Sequence, residues 1–127
     1  MKVLLDSHVV IWWFRDPRRL SPRATDIIKD SRNAILVSAA SGLELATKEH
    51  TGKLEWLPFV VDLERWIEEA GFFSEPITLE QSVRAGLLPF HHKDPFDRLL
   101  VAQAQSLNVP ILSVDVALDA YDVKRIW

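Results

Sequence analysis

The chain contains no cysteine and only four glycines in 127 residues. Without cysteine it can form neither a disulfide nor a thiolate metal site, and this composition fits a reducing compartment. It also lacks a glycine-rich phosphate-binding loop, which excludes a P-loop and a dinucleotide-binding fingerprint. No serine stands in a Gly-x-Ser-x-Gly elbow, so the nucleophile motif of the α/β-hydrolases is missing as well.

Long apolar runs are also missing. No stretch approaches the roughly 20 apolar residues that a membrane span needs. The N-terminal run Val3-Leu4-Leu5 is interrupted at once by Asp6, which is unlike a signal peptide. We therefore expect a cytoplasmic protein with no membrane partner.

A strong positive charge is the third absence. The formal net charge is −3, which counts against nucleic-acid binding through surface charge alone. Basic residues still form three local clusters that could follow a phosphate backbone: Arg15, Arg18 and Arg19; Lys48 and Lys53; and Lys93 and Arg98.

The composition that remains is that of an ordinary globular protein. With 48% hydrophobic and 26% charged residues, we expect residues 1–127 to form a single domain. Apolar runs predict strands at 2–5, 34–37, 72–77, 110–114 and 123–126. Helical spacing and cap residues predict helices at 9–14, 22–31, from 38 or 41 to about 52, 57–71, 79–87 and 94–108. This alternation predicts an α/β fold with a central, mainly parallel sheet.

Four acidic residues occupy positions from which they could converge: Asp6, Glu44, Asp97 and Asp115. Asp6 and Asp115 each follow an apolar strand, and the carboxyl ends of parallel strands open into one crevice. Glu44 and Asp97 lie early in helices that could border that crevice. Clustered carboxylates repel one another unless a hard cation neutralises them, and Mg²⁺ and Mn²⁺ prefer oxygen ligands. The set therefore suggests a metal site and phosphodiester hydrolysis.

Each of these acids also has an ordinary structural interpretation. Asp6, Asp94 and Asp115 have the position of helix caps, and Asp97 suits the first turn of a helix. Glu44, taken alone, fits a solvated helix face. Ser7 and Ser113 adjoin two of the acids and could hydrogen-bond to a metal-bound water or a phosphate. Asp119 could compete with Asp115 for the fourth acidic role.

The histidines and tryptophans give weaker signals. His8, His50, His91 and His92 form no zinc-site spacing, and we expect His91 and His92 to be exposed. Trp12, Trp13 and Phe14 either belong to the core or form a surface for a partner helix or a second copy.

Four segments together resemble the PIN domain, and within it the VapC-like ribonuclease toxins of toxin–antitoxin pairs. They are Leu4-Leu5-Asp6-Ser7-His8, the stretch from Val37 to Lys48, the stretch from His92 to Ala104 that contains Asp94-Pro95-Phe96-Asp97-Arg98, and Ile111-Leu112-Ser113-Val114-Asp115. The third segment is the most specific. One departure is Gly42-Leu43 before Glu44, where the family often has a β-branched residue and tryptophan.

This resemblance implies a three-layer α/β/α sandwich and hydrolysis of RNA with Mg²⁺ or Mn²⁺. It implies Asp6, Glu44, Asp97 and Asp115 as the catalytic acids, with Asp6, Asp97 and Asp115 as preferred metal ligands and Asp94 in an accessory role. It also implies a cognate antitoxin and usually a homodimer.

Two other functions remain open at this stage. A phosphoacceptor receiver domain also gathers aspartates at strand ends, but it needs two adjacent acids after the first strand and a lysine after a late one. Here those strands end in Asp6-Ser7-His8 and Ser113-Val114-Asp115. A PIN-like module that has lost catalysis is the other alternative, and the complete acid set argues against it.

Overall fold

A parallel sheet lies at the centre of the computed structural model, which describes residues 1–54 and 59–127. Five strands of the described residues form it: β1 (Lys2–Leu5), β2 (Ala34–Ser38), β3 (Phe73–Glu75), β4 (Ile111–Leu112) and β5 (Arg125–Ile126). Their order across the sheet is β3-β2-β1-β4-β5, and every neighbouring pair is parallel. β1 is therefore central, with Leu5 paired to Val37 on one side and to Leu112 on the other.

Six α-helices of the described residues connect the strands: α1 (Ser7–Arg15), α2 (Pro22–Lys29), α3 (Ala39–His50), α4 (Leu63–Glu69), α5 (Leu79–Leu87) and α6 (Pro95–Leu107). Local sequence explains their ends. Ser21 accepts the hydrogen bond of the Ala24 N–H at the start of α2, and Thr78 forms a capping box with Gln81 at the start of α5. Asn108 ends α6 in the left-handed conformation with φ of 54°.

The helices cover both faces of the sheet. Alternation along β1 directs Val3 and Leu5 to one face and Leu4 to the other. The first face packs against α1, α2 and α4 through residues such as Val10, Ile28 and Ile67. The second packs against α6 and the C-terminal segment. The three-layer α/β/α sandwich is confirmed.

The element order also matches the sequence prediction, with differences at element ends. α1 is longer than predicted and begins at Ser7, because the chain turns helical directly after Asp6. β3, β4 and β5 are shorter, since strand pairing ends before the apolar runs do. The predicted helix start at Leu57-Pro58 lies outside the described residues; a 3-10 turn at Val60–Asp62 precedes α4. No helix within residues 1–54 or 59–127 is long and apolar enough to cross a membrane.

Candidate functional site

Strand pairing brings Asp6 and Ser113 together. Asp6 follows β1 and Ser113 follows β4, and these strands are neighbours in register. The Ser113 hydroxyl donates to Oδ2 of Asp6 at 2.6 Å, and both side chains are buried. Asp6 occupies the N-cap position of α1 without making a side-chain cap hydrogen bond. The pairing of β1 with β4 therefore positions the Asp6 carboxylate, which does not act as the side-chain cap of α1.

Glu44 lies inside the protein, which makes the interpretation as a solvated helix residue wrong. It belongs to α3 and is 4% exposed. Lys48, one helical turn later, donates to Oε2 of Glu44 at 2.8 Å. The other oxygen, Oε1, is buried and has no hydrogen-bond partner among residues 1–54 and 59–127. Burying an unpaired carboxylate oxygen is costly, so this atom indicates a partner other than the described residues.

Asp94 and Asp97 mark the first turn of α6. Asp94 is the N-cap and accepts the Phe96 N–H at 2.8 Å, as its cap interpretation predicts. Asp97 lies one turn into the helix, with Oδ2 at 3.1 Å from Nε2 of His92. The helix N-terminus favours negative charge at both positions.

Asp115 and its competitor Asp119 are separated by their partners. Asp115 caps a 3-10 helix by accepting the Ala117 N–H at 3.0 Å, and its Oδ2 lies 3.8 Å from Nε2 of His92. Asp119 instead receives two hydrogen bonds from Arg125, at 2.9 and 3.0 Å. Asp119 therefore pairs with Arg125 on the surface, and Asp115 is the acid that lies next to His92.

The acids share one open cavity of about 380 Å³. Its lining contains Asp6, His8, Trp12, Glu44, Lys48, Asp94, Asp97, Val114 and Asp115. All four of the principal acids predicted from sequence are in this lining, together with Asp94.

Burial and mutual repulsion perturb the acids of this cavity. Burial raises the pKa of Asp97 to about 7, and the charges of Asp6, Asp94, Glu44 and Asp115 add to the rise. Burial also raises the pKa of Asp6, against the lowering effect of the hydrogen bond from Ser113. Both raised pKa values mean that the metal-free site disfavours the ionised forms of these two acids.

The donor set fits a hard divalent cation. It consists of carboxylate oxygens, one of them buried with no partner in the described part of the chain. They line a cavity where neighbouring acids destabilise the ionised form of Asp97. Mg²⁺ and Mn²⁺ prefer such oxygen ligands, and a bound cation reverses the repulsion.

Several residues lie elsewhere than the sequence suggested. The Ser7 hydroxyl donates to Ser41 at 2.9 Å in the buried contact between α1 and α3, so it does not face a phosphate. Arg98 is 6% exposed and contacts backbone carbonyls, which removes it from the surface basic clusters. Trp13 and Phe14 pack against Phe72 as part of the core.

His92 and Lys48 each contact an acid of the cavity and were missed as site residues. His92 is half-buried between Asp97 and Asp115, although we expected it to be exposed. The sequence did carry a signal for His92, because it stands two residues before the Asp94 cap. A residue so close to the cap must lie at the same end of α6 as Asp97. Lys48 was assigned to a surface cluster, whereas its i,i+4 spacing from Glu44 predicts the ion pair that is observed.

Comparison with known proteins agrees with this architecture. The family model for the PIN domain matches residues 3–124. Ribonuclease VapC22 of Mycobacterium tuberculosis is 31% identical over 105 residues, which cover 80% of this chain and 78% of that protein.

Solved structures show the same fold at low identity. The crystal structure of VapBC2 from Rickettsia felis, bound to a DNA fragment from the promoter, matches with a TM-score of 0.70 at 12% identity. The match covers 99% of this chain and 98% of the VapBC2 chain. FitAcB from Neisseria gonorrhoeae has a TM-score of 0.66 at 17% identity, covering 98% and 96%. The receiver-domain alternative is thereby removed. The chain belongs to the PIN-domain family, as a VapC-like member.

Proposed function

We propose that this protein is a metal-dependent endoribonuclease and the toxin component of a type II toxin–antitoxin pair, acting in the cytoplasm. One observation carries the proposal: Asp6, Glu44, Asp97 and Asp115 line a single cavity in a VapC-like PIN chain. Carboxylates that share one cavity suit metal-assisted hydrolysis of a phosphodiester.

The chain's own residues divide the work. Asp6, Asp97 and Asp115 would hold Mg²⁺ or Mn²⁺, with Ser113 fixing the orientation of Asp6. When bound, the cation lowers the pKa of a water and offsets charge on the phosphate. Glu44 lines the same cavity and would orient the attacking water or serve as a further ligand. Lys48 donates to the other oxygen of Glu44 and holds that side chain in place.

The same cavity suits inhibition by an antitoxin. Guanidinium groups bind carboxylates bidentately, so an arginine of a partner protein would compete with the cation for these acids. The cavity that these acids line has a volume of about 380 Å³. We therefore expect the antitoxin to place a basic residue there.

A homodimer is the second assembly that we propose. Leu79, Val83 and Leu87 form an exposed apolar stripe along α5, and Phe90 extends it. The stripe is self-complementary, because an antiparallel copy about Val83 sets Leu79 against Leu87. Glu80 and Arg84 flank it on one side, so that opposite charges also face each other across the two-fold axis.

We further propose that residues 1–127 act as one domain. β1 from the start of the chain pairs directly with β4, and β5 from its end completes the same sheet. The site likewise draws Asp6 and Asp115 from opposite ends of the sequence.

The deciding experiment is cleavage of a pool of structured and unstructured RNAs with Mg²⁺, Mn²⁺ or chelator. Asp6→Asn removes the charge but keeps an oxygen for Ser113, so the fold should persist while the rate falls about a thousandfold or more. Asp26→Asn, an exposed aspartate on α2, serves as the matched control. Full activity of Asp6→Asn, or activity in chelator, would reject the site.

The same assay tests the alternative. A folded wild type that binds Mn²⁺ and RNA but cleaves nothing in the pool would support the non-catalytic PIN-like binding module.

A further inference from the structure

His92 lies between Asp97 and Asp115, two of the carboxylates that line the acidic cavity. Its Nε2 is 3.1 Å from Oδ2 of Asp97 and 3.8 Å from Oδ2 of Asp115. The three side chains form the group of described residues whose ligand atoms lie within 4.8 Å of one another. Proximity alone would allow two roles for His92: a nitrogen ligand to the cation, or a hydrogen-bond donor to its ligands.

We propose that His92 is a positioning residue whose Nε2–H donates to Asp97 and sets that carboxylate for the divalent cation. This inference rests on the proposed function, and it assigns a role to a residue outside the acid set.

The backbone of Asp94 selects between the two roles. The Asp94 N–H donates to Nδ1 of His92 at 3.2 Å, so Nδ1 carries the lone pair. In a neutral imidazole the proton then resides on Nε2, the nitrogen that faces Asp97. A metal-binding histidine shows the reverse arrangement, in which the second nitrogen donates to a carbonyl or carboxylate. His92 is therefore set up to donate.

The segment before His92 is clamped, which holds the ring in this position. The Tyr121 hydroxyl accepts the His92 N–H at 2.9 Å and donates to the Pro89 carbonyl at 2.9 Å. Arg98 donates to the Pro89 and Leu88 carbonyls at 3.0 and 2.9 Å. Since Arg98 and Asp97 are neighbours in α6, the same helix end anchors both the donor and the acceptor.

Orientation matters because Asp97 is a short side chain with two equivalent oxygens. A hydrogen bond to Oδ2 limits rotation of the carboxylate and leaves Oδ1 for the cation. Removing a hydrogen-bond partner of a metal ligand typically weakens metal affinity by roughly 10–100-fold.

The test pairs two amide variants that separate the two nitrogens. In His92→Gln the side-chain amide reaches the position of Nε2 and retains a donor for Asp97. In His92→Asn the shorter amide still accepts the Asp94 N–H but cannot reach Asp97. His91→Gln is the control, because His91 is exposed and packs edge-on against Tyr121 at 5.3 Å.

Mn²⁺ affinity, measured by calorimetry at one pH, is the first readout. We expect His92→Asn to bind about tenfold more weakly than wild type, with His92→Gln within about threefold and His91→Gln unchanged. Equal affinity of His92→Asn and wild type would overturn the positioning role, and the RNA assay would still report on the ribonuclease. A wild type that binds no Mn²⁺ would overturn both proposals.

The second readout is the tautomer, from ¹⁵N NMR of the imidazoles at about pH 8, above the usual titration range of histidine. We expect the proton on Nε2 of His92 in the metal-free chain and after Mg²⁺ is added. A proton on Nδ1 of the metal-free chain would overturn the proposal. Loss of the Nε2 proton when Mg²⁺ is added would show that His92 is a ligand and would overturn it as well.

Discussion

Asp97 combines two conditions that conflict at neutral pH, namely burial and a set of neighbouring carboxylates. Together they raise its pKa to about 7, so a substantial fraction of the metal-free protein carries a proton there. A cation must displace that proton, which links metal binding to pH. The protonation state of Asp97 therefore changes within the physiological range.

Metal-free stability should depend on pH through Asp97. Its folded pKa of about 7 lies above its model value of 3.8, so between these values the folded chain binds more protons than the unfolded chain. The stabilisation is complete below the lower value and is lost as pH rises. In chelator we expect the melting temperature to fall between about pH 4 and pH 7, with a smaller fall in Asp97→Asn. Equal slopes for the two proteins would contradict this.

Gly42 offers a second test at this scale. It lies within α3, and a Cβ added there meets nothing within 4 Å. Gly42→Ala should therefore raise the free energy of unfolding by about 0.5–1 kcal/mol through helix propensity, with RNA cleavage unchanged. Chemical denaturation measures the gain, and a loss of stability would mean that the glycine serves a contact absent from this structure.

At the scale of elements, α6 joins the site to the end of α5. Its residue Arg98 donates to the Ala85, Gly86 and Leu88 carbonyls at the point where α5 ends. The negative end of the α5 dipole thus stabilises a buried cation. Within one turn of α6, Asp97 therefore faces the cavity and Arg98 contacts the end of α5 as a structural anchor.

Removing that anchor should be costly. We expect Arg98→Met to lower the free energy of unfolding by about 3 kcal/mol or more, because several buried carbonyls lose a charged donor. Arg18→Met is the control: the Arg18 side chain is 91% exposed, and its loss should cost about 0.5 kcal/mol at most. Similar values for both variants in urea denaturation would show that Arg98 is not an anchor.

For the whole molecule, the exposed stripe on α5 is the feature that the isolated chain does not explain. Leu79 and Leu87 are 83% and 80% exposed, one face of the same helix. Contiguous apolar surface of this kind marks an interaction site. A second copy would cover it with an equivalent stripe.

Sedimentation analysis tests the dimer. We expect wild type to sediment as a dimer at micromolar concentration and Leu87→Glu as a folded monomer, because the charge would face the apolar stripe of the partner copy. Val116→Glu is the matched control, since Val116 is 68% exposed and lies off α5. A monomeric wild type, or a dimeric Leu87→Glu, would reject this interface.

The sequence by itself determined the element order, the parallel α/β class and the positions of the acids. These follow from local rules: strand-length apolar runs, helical periodicity, cap residues such as Ser21 and Asp94, and acids placed just after strands. They need only short-range information, which explains why the confirmed predictions are of this kind.

Only the tertiary structure decided which side chains meet. The strand order sets β1 beside β4 and so joins Asp6 to Ser113, 107 positions apart. Packing buries Glu44, turns Arg98 inward to the end of α5, and brings His92 to Asp97. Helical or strand periodicity fixes the direction of a side chain only relative to its own element. The partner it faces depends on how distant elements pack, and that is a property of the whole fold.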